Sequence, residues 1–228
     1  MLVAIHQLHY LPWLRYLDKI HRSDVFVVLD DIQFNKNGWQ NRNKLKTSSG
    51  PVTLTVPVRA KAQQKLNETC IHNDVDWRKK HWRTLEQNYR KAIYFDDYAD
   101  FFEETYSRPW ERLNDLNRHM LAFYCKTLGI GTTIVYSSDL RVPGIATERL
   151  VNLIKAVGCA RYYSGTHALQ SHLDPGLLED AGIALELQEW HAPEYPQLHG
   201  PFVPDLSIVD LLLNCGPESL ETLCGQPI

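Results

Sequence analysis

Two short apolar runs near the start of the chain, Leu2–Ile5 and Val25–Leu29, do most to limit what it can fold into. Both are rich in β-branched residues and neither alternates apolar with polar. That is the pattern of strands covered on both faces, as in a parallel sheet. Parallel neighbours need a crossover between them, and the intervening residues supply one. Trp13, Leu14, Leu17 and Ile20 fall at helical spacing, and Pro12 suits a first helical turn. A βαβ unit is the expected product.

Polar and aromatic groups crowd the end of each run. His6, Gln7, His9, Tyr10, Pro12 and Trp13 follow the first, and Asp30, Asp31, Gln33, Lys36, Trp39, Arg42 and Asn43 follow the second. Open α/β sheets bind ligands at the carboxyl ends of their strands, so a site is expected here.

The remaining pattern extends the sheet. Thr47–Gly50 reads as a turn, Pro51–Val58 as a strand with an edge proline, and Arg59–Leu66 as a basic loop. Cys70–Asp74 reads as a short strand. From Trp77 to Gly129 the spacing is helical, with Asp76 as a start cap and Gly129 as a stop. Thr133–Ser137, Arg161–Ser164 and Ala184–Gln188 read as strands. Thr147–Val157, Pro175–Ala181 and Ser207–Asn214 read as helices, the last capped by Ser207. The expected fold class is α/β, with a mostly parallel, Rossmann-like sheet and a helical insertion in the middle of the chain. One domain over residues 1–228 is expected, with a helical subdomain near 76–129.

Charge and cysteines exclude several classes. A formal net charge of -3 argues against general nucleic-acid binding and against DNA as a partner. No apolar run approaches the ~20 residues that span a bilayer. The five cysteines are scattered without C-x-x-C spacing, which points to buried thiols in a reducing cytoplasm rather than disulfides or zinc. His191, Glu194 and His199 fit no zinc spacing, and no metal site is assigned.

The run HQ-x3-LPW-x2-YLDKI-x3-D-x-FV-x-LDD-x-QF-x-K-x2-W-x-NRN, with LTVPV, W-x3-HW, YYSG and LSIVDLLLN further on, resembles the bacterial WbqC-like protein family. The resemblance covers essentially the whole chain. It implies a place in surface-polysaccharide or natural-product biosynthesis and transfer of an amino-acid or other acyl group to an amine. This chain departs from the family pattern at Leu8, where a proline is usual, and at Arg15, where a glycine is usual. After Ser164-Gly165 it also differs, in a stretch holding His167 and His172.

The candidate catalytic residues are His6, His9, Asp30 and Asp31. Histidine and paired carboxylates at strand ends suit proton transfer. Gln7, Tyr10, Trp13, Gln33, Lys36, Trp39, Arg42, Asn43, His81, Ser164 and Gly165 are the candidate substrate-binding residues. Arg42 offers a fork for carboxylate or phosphate, and tryptophan a stacking face. The expected activity is acyl or aminoacyl transfer to an amine- or hydroxyl-bearing small molecule, from an activated donor such as an aminoacyl-tRNA. One alternative is nucleotidyl transfer with Mg²⁺ and an NTP, suggested by the spacing of His6 and His9, which is that of H-x-G-H with Leu8 in the glycine's place. The other is a non-catalytic scaffold. A homo-oligomer is compatible with either.

Overall fold

The computed structural model describes residues 1–171 and 173–225; His172 lies outside them. Along the chain come β1 (Leu2–Gln7), α1 (Leu14–His21), β2 (Val25–Leu29), β3 (Arg42–Thr47), β4 (Gly50–Thr55), β5 (Val58–Arg59) and β6 (Cys70–Ile71). Three long helices follow: α2 (Trp77–Tyr89), α3 (Phe95–Ser107) and α4 (Leu113–Thr127). Then come β7 (Thr133–Tyr136), α5 (Ser137–Leu140), α6 (Ala146–Ala156), β8 (Arg161–Ser164), α7 (Thr166–Ser171), α8 (Pro175–Asp180) and β9 (Ala184–Leu187). The chain ends with α9 (Ile208–Cys215) and α10 (Ser219–Leu223). Among the described residues no helix is long and apolar enough to cross a membrane.

These elements form two compact units. The first comprises Met1–Leu8, Asp18–Ile32 and Ile130–Trp190. It holds a five-stranded, wholly parallel sheet in the order β7-β2-β1-β8-β9. Numbered as the chain makes them, the strands run 3-2-1-4-5, the doubly wound α/β order. Alternation along each strand sends Val3, Ile5, Val25, Val27 and Tyr162 to one face. There they pack with Val151 and Ile154 of α6 and Leu178 of α8. The middle of β2 is buried throughout, which explains why its sequence does not alternate.

The second unit comprises His9–Leu17, Gln33–Gly129 and the chain from His191 onward. It contains the helices α2, α3, α4, α9 and α10, with the antiparallel pairs β3–β4 and β5–β6. The helical stretch expected near 76–129 lies within it.

Several local expectations need correction. Pro12 precedes α1 instead of starting it. The first helical bonds go to the Trp13 carbonyl, and the Pro12 carbonyl accepts from Ile208 N–H at 2.8 Å. Asp76 makes no side-chain cap; its backbone, at φ -76° and ψ 57°, lies outside the extended region typical of a capping residue. The strand expected over Pro51–Val58 breaks after Thr55, and β5 starts beyond Pro57. The sequence pattern carries no signal for β3, α7 or α10, and the strand expected over Thr133–Ser137 ends at Tyr136, where α5 begins. Ser207 does cap α9, accepting from Val209 N–H at 3.2 Å, and Gly129 does end α4 with φ +67°. All five cysteines are free thiols, but only Cys125, Cys159 and Cys215 are buried; Cys70 and Cys224, expected to be buried, are partly exposed. Burial pushes Cys125 up to about 12 and Cys215 up to about 11.

Candidate functional site

In the first unit the sheet opens where its strand order reverses. β1 and β8 pair from Leu2↔Arg161 to Ala4↔Tyr163 and no further. Beyond that point β1 stays paired with β2 as far as Gln7↔Leu29, while β8 stays paired with β9 as far as Ser164↔Leu187. The two central strands therefore part at their carboxyl ends. Parallel sheets of this order bind ligands in that crevice.

The crevice is flanked by His6 and Gln7 at the end of β1 and by Ser164 and Gly165 at the end of β8. The His6 Nδ1 lies 3.2 Å from the Gln7 carbonyl oxygen. A neutral ring donating there carries its lone pair on Nε2. A Cβ built on Gly165 would stand 3.5 Å from Lys19 Nζ, so glycine leaves the ammonium close to bare backbone. Lys19 is buried, as is its neighbour Asp18. The Asp18 carboxylate accepts from Arg22 Nε at 2.7 Å and from Gln188 Nε2 at 2.8 Å, and the Gln188 N–H donates to the Ser164 carbonyl at 2.8 Å. These bonds fix α1 beside β8. Burial raises the Tyr163 hydroxyl to about 12, helped by the negative charge of Asp18.

Asp30 and Asp31 sit at the end of β2 and face α5. Asp30 is fully buried and accepts from the Ser138 N–H at 3.0 Å and the Ser138 hydroxyl at 2.8 Å. It thereby caps α5 from a distant part of the chain. Asp31 accepts from the Ser137 hydroxyl at 2.6 Å and from Arg149 Nη2 at 2.5 Å. Partial burial works to raise its carboxyl, but the Ser137 bond and the Arg149 guanidinium outweigh that and hold it below the ordinary value. An ionised, salt-bridged carboxylate suits charge holding more than proton abstraction at neutral pH.

The other candidates fall in the second unit and sort into two groups. Tyr10 and His81 are buried. The Tyr10 hydroxyl is 2.9 Å from His81 Nδ1 and 2.6 Å from the Tyr106 hydroxyl. Burial drives His81 down to about 3, against a bond to the Thr55 backbone that works to raise it. A ring that donates to Thr55 and accepts from Tyr10 is neutral, and both its nitrogens are used inside the unit. Asn43 is likewise buried: its amide donates to the Leu11 carbonyl at 2.6 Å, holding Leu11 in a left-handed turn with φ +46°.

Trp13 and Trp39 form the second group, both half-buried. Their rings meet at 4.6 Å between centroids. Arg42 lies 5.4 Å and Lys44 5.9 Å from the Trp39 ring centre, and Arg15 lies 5.0 Å from that of Trp13. Arg42 donates to the Asn37 carbonyl at 2.5 Å, while its buried Nε has no acceptor. His9 packs edge-on to Trp13 and stacks on Tyr16. Gln33 and Lys36 are exposed, with Gln33 bridged to Lys65.

Sequence reasoning missed Lys19, Asp18, Gln188, Lys44 and Arg149. Asp18 and Lys19 lie inside the quoted YLDKI motif, where two charged residues flanked by Leu17 and Ile20 are the available signal. His191, Glu194 and His199 do not converge: His199 Nε2 is 2.7 Å from the Asn88 carbonyl. Among the described residues no three His, Cys, Asp or Glu side chains are grouped as metal ligands.

The uncharacterized protein Rv1507c of Mycobacterium tuberculosis (strain ATCC 25618 / H37Rv) is 40% identical over 230 residues, spanning 98% of this chain and 99% of that protein. No solved structure matches. The model of one family matches residues 7–222, a span that begins at Gln7 in the crevice and runs through both units. The chain belongs to the WbqC-like protein family.

Proposed function

We propose that this chain is a biosynthetic transferase, joining an acyl or aminoacyl group to an amine- or hydroxyl-bearing acceptor in a secondary-metabolite or surface-glycan pathway. The observation that carries the reading is the parting of β1 and β8 between His6, Gln7, Ser164 and Gly165. In this reading His6 Nε2 takes the proton of the attacking amine or hydroxyl. The new C–N or C–O bond forms at the acyl carbon, the bond to the carrier breaks, and the proton leaves with the carrier. Gln7 orients the acyl group, and Lys19 beside Gly165 offsets negative charge on the developing oxyanion. Asp30, Asp31 and Arg149 position the neighbouring loop.

Hydroxylamine as a stand-in acceptor tests this, because it traps any transferred acyl group as a hydroxamate. With aminoacyl-tRNA and acyl-CoA pools as donors, the native protein should form hydroxamate. His6→Ala should lower the rate about 100-fold, the low end for losing a general base. Failure to form hydroxamate from either donor pool would refute the proposal.

The doubly wound strand order supports a second reading: nucleotidyl transfer from an NTP, with His6 at the strand end acting on the phosphates. Against it, Leu8 is fully buried at the place where close phosphate approach favours glycine. ATP with Mg²⁺ at 100 times Kd would add about 2.7 kcal/mol of stability. The transferase reading expects ATP to leave the melting temperature unchanged.

A further inference from the structure

The chain as a whole is mildly acidic, yet its charge is unevenly spread. Residues 36–91 contain thirteen lysines and arginines against four acidic residues, all within the second unit. Many of these cations are exposed. Lys79, Arg83 and Arg90 fall along one side of α2 and its end, with Lys80 and Lys91 adjoining. Arg59, Lys61 and Lys65 lie on the basic loop. Of these, Arg59 is paired with Asp74.

The same unit carries the Trp13–Trp39 pair with Arg15, Arg42 and Lys44 around it. Arg15 also makes a long, exposed pair with Asp205 at 3.5 Å. Tyr10 ties this platform to α2: its N–H donates to the Trp39 carbonyl at 3.3 Å and its hydroxyl meets His81 on α2. Half-buried tryptophans ringed by cations, on a body with a separate row of exposed cations, combine the two parts of a single-strand nucleic-acid surface. Bases stack on aromatic faces while phosphates follow the positive charge.

We infer that the second unit binds RNA through an unpaired end, with a base on the Trp13–Trp39 pair and the backbone along the exposed face of α2. The inference deepens the transferase reading by making RNA the carrier of the donated group, and so rests on that reading for its purpose. Its test needs no chemistry. The full chain is titrated into a fluorescent single-stranded RNA of about ten nucleotides, and into bulk tRNA, at several salt concentrations.

Binding in roughly the micromolar range is expected at low salt, weakening steeply as salt rises. Trp39→Ala should weaken it about tenfold or more, and Trp39→Phe much less, since a stacking face is retained. Lys79→Gln, Arg83→Gln and Arg90→Gln together should flatten the logarithmic salt dependence by about two, at roughly 0.7 per single-strand phosphate. Circular dichroism of each variant confirms that it is folded. Absence of binding at 50 mM salt, or equal binding by all variants, would overturn the inference. So would equal affinity for duplex DNA, which marks a general polyanion surface, or AMP binding as tightly as the oligonucleotide, which marks a mononucleotide site. RNA binding without hydroxamate formation would count against the transferase reading alone. Transfer from acyl-CoA without RNA binding would count against this inference alone.

Discussion

Replacing Asp210 by alanine is expected to destabilise the protein by about 3–5 kcal/mol, the cost of deleting one member of a buried charged hydrogen-bond set. Asp210 is fully buried on α9. It accepts from the Tyr89 hydroxyl at 2.6 Å and the Tyr195 hydroxyl at 2.9 Å. Burial raises its carboxyl above the ordinary value, and the two tyrosine bonds only partly offset that. The Tyr89 hydroxyl in turn accepts from the Lys46 N–H at 2.8 Å. The Lys46 ammonium, almost wholly buried, donates to Gln197 Oε1 at 3.1 Å and to the carbonyls of Gly200 at 3.3 Å and Pro201 at 2.5 Å. One chain of bonds thus fastens β3, α2, α9 and the stretch from Tyr195 to Pro201 together. Alanine leaves two tyrosine hydroxyls without their acceptor. Asparagine keeps one acceptor oxygen, so Asp210→Asn should lose about half as much. Thermal melting at neutral pH decides it, at roughly 2–4 °C per kcal/mol for a chain of this size. A loss below about 1 kcal/mol for the alanine variant would show that the bonds do not hold that stretch.

Acid should weaken the fold through His81 from a pH above the ordinary carboxylate range. Its folded value of about 3 lies below its ordinary value of 6.5 because burial penalises the charged ring. The unfolded chain therefore binds the extra proton more readily. The contribution is fully present above about pH 6.5 and declines as pH falls from there toward 3. The slope is about 1.4 kcal/mol per pH unit, giving roughly 2 kcal/mol between pH 6.5 and 5. Glutamine can accept from Tyr10 and donate to Thr55 but does not titrate. His81→Gln should thus be less stable at pH 7 yet lack this part of the pH dependence. Urea midpoints of both proteins at pH 7 and 5 test it; parallel loss in the two would place the titrating group elsewhere.

Parts of this architecture are legible in the sequence because their signals are local. The apolar runs of β1 and β2 announce strands buried on both faces, and the serine before Ile208 announces a helix start. The polar, aromatic run after β1 marks the strand end that the sheet then opens. Other parts rest on distant partners. β3 reads RNKLKT, and its strand character appears only when Asn43, Leu45 and Lys46 are seen buried against groups far along the chain. α5 takes its cap from Asp30, more than a hundred residues earlier. The role of Asp31 could not be read without Arg149. Tyr10 and His81 look like site residues in sequence because aromatic and titratable groups cluster there. Their hydroxyl and ring nitrogens are engaged in a bonded set whose third member is Tyr106.

Each compact unit is assembled from three separate stretches of chain. This limits how such a protein can arise and be altered. No single cut yields one unit intact, so neither can be lent to another gene as a module, lost by truncation, or recovered as a clean proteolytic fragment. A frameshift or stop codon between β6 and β7 removes three of the five sheet strands together with α9 and the acceptor of Tyr89.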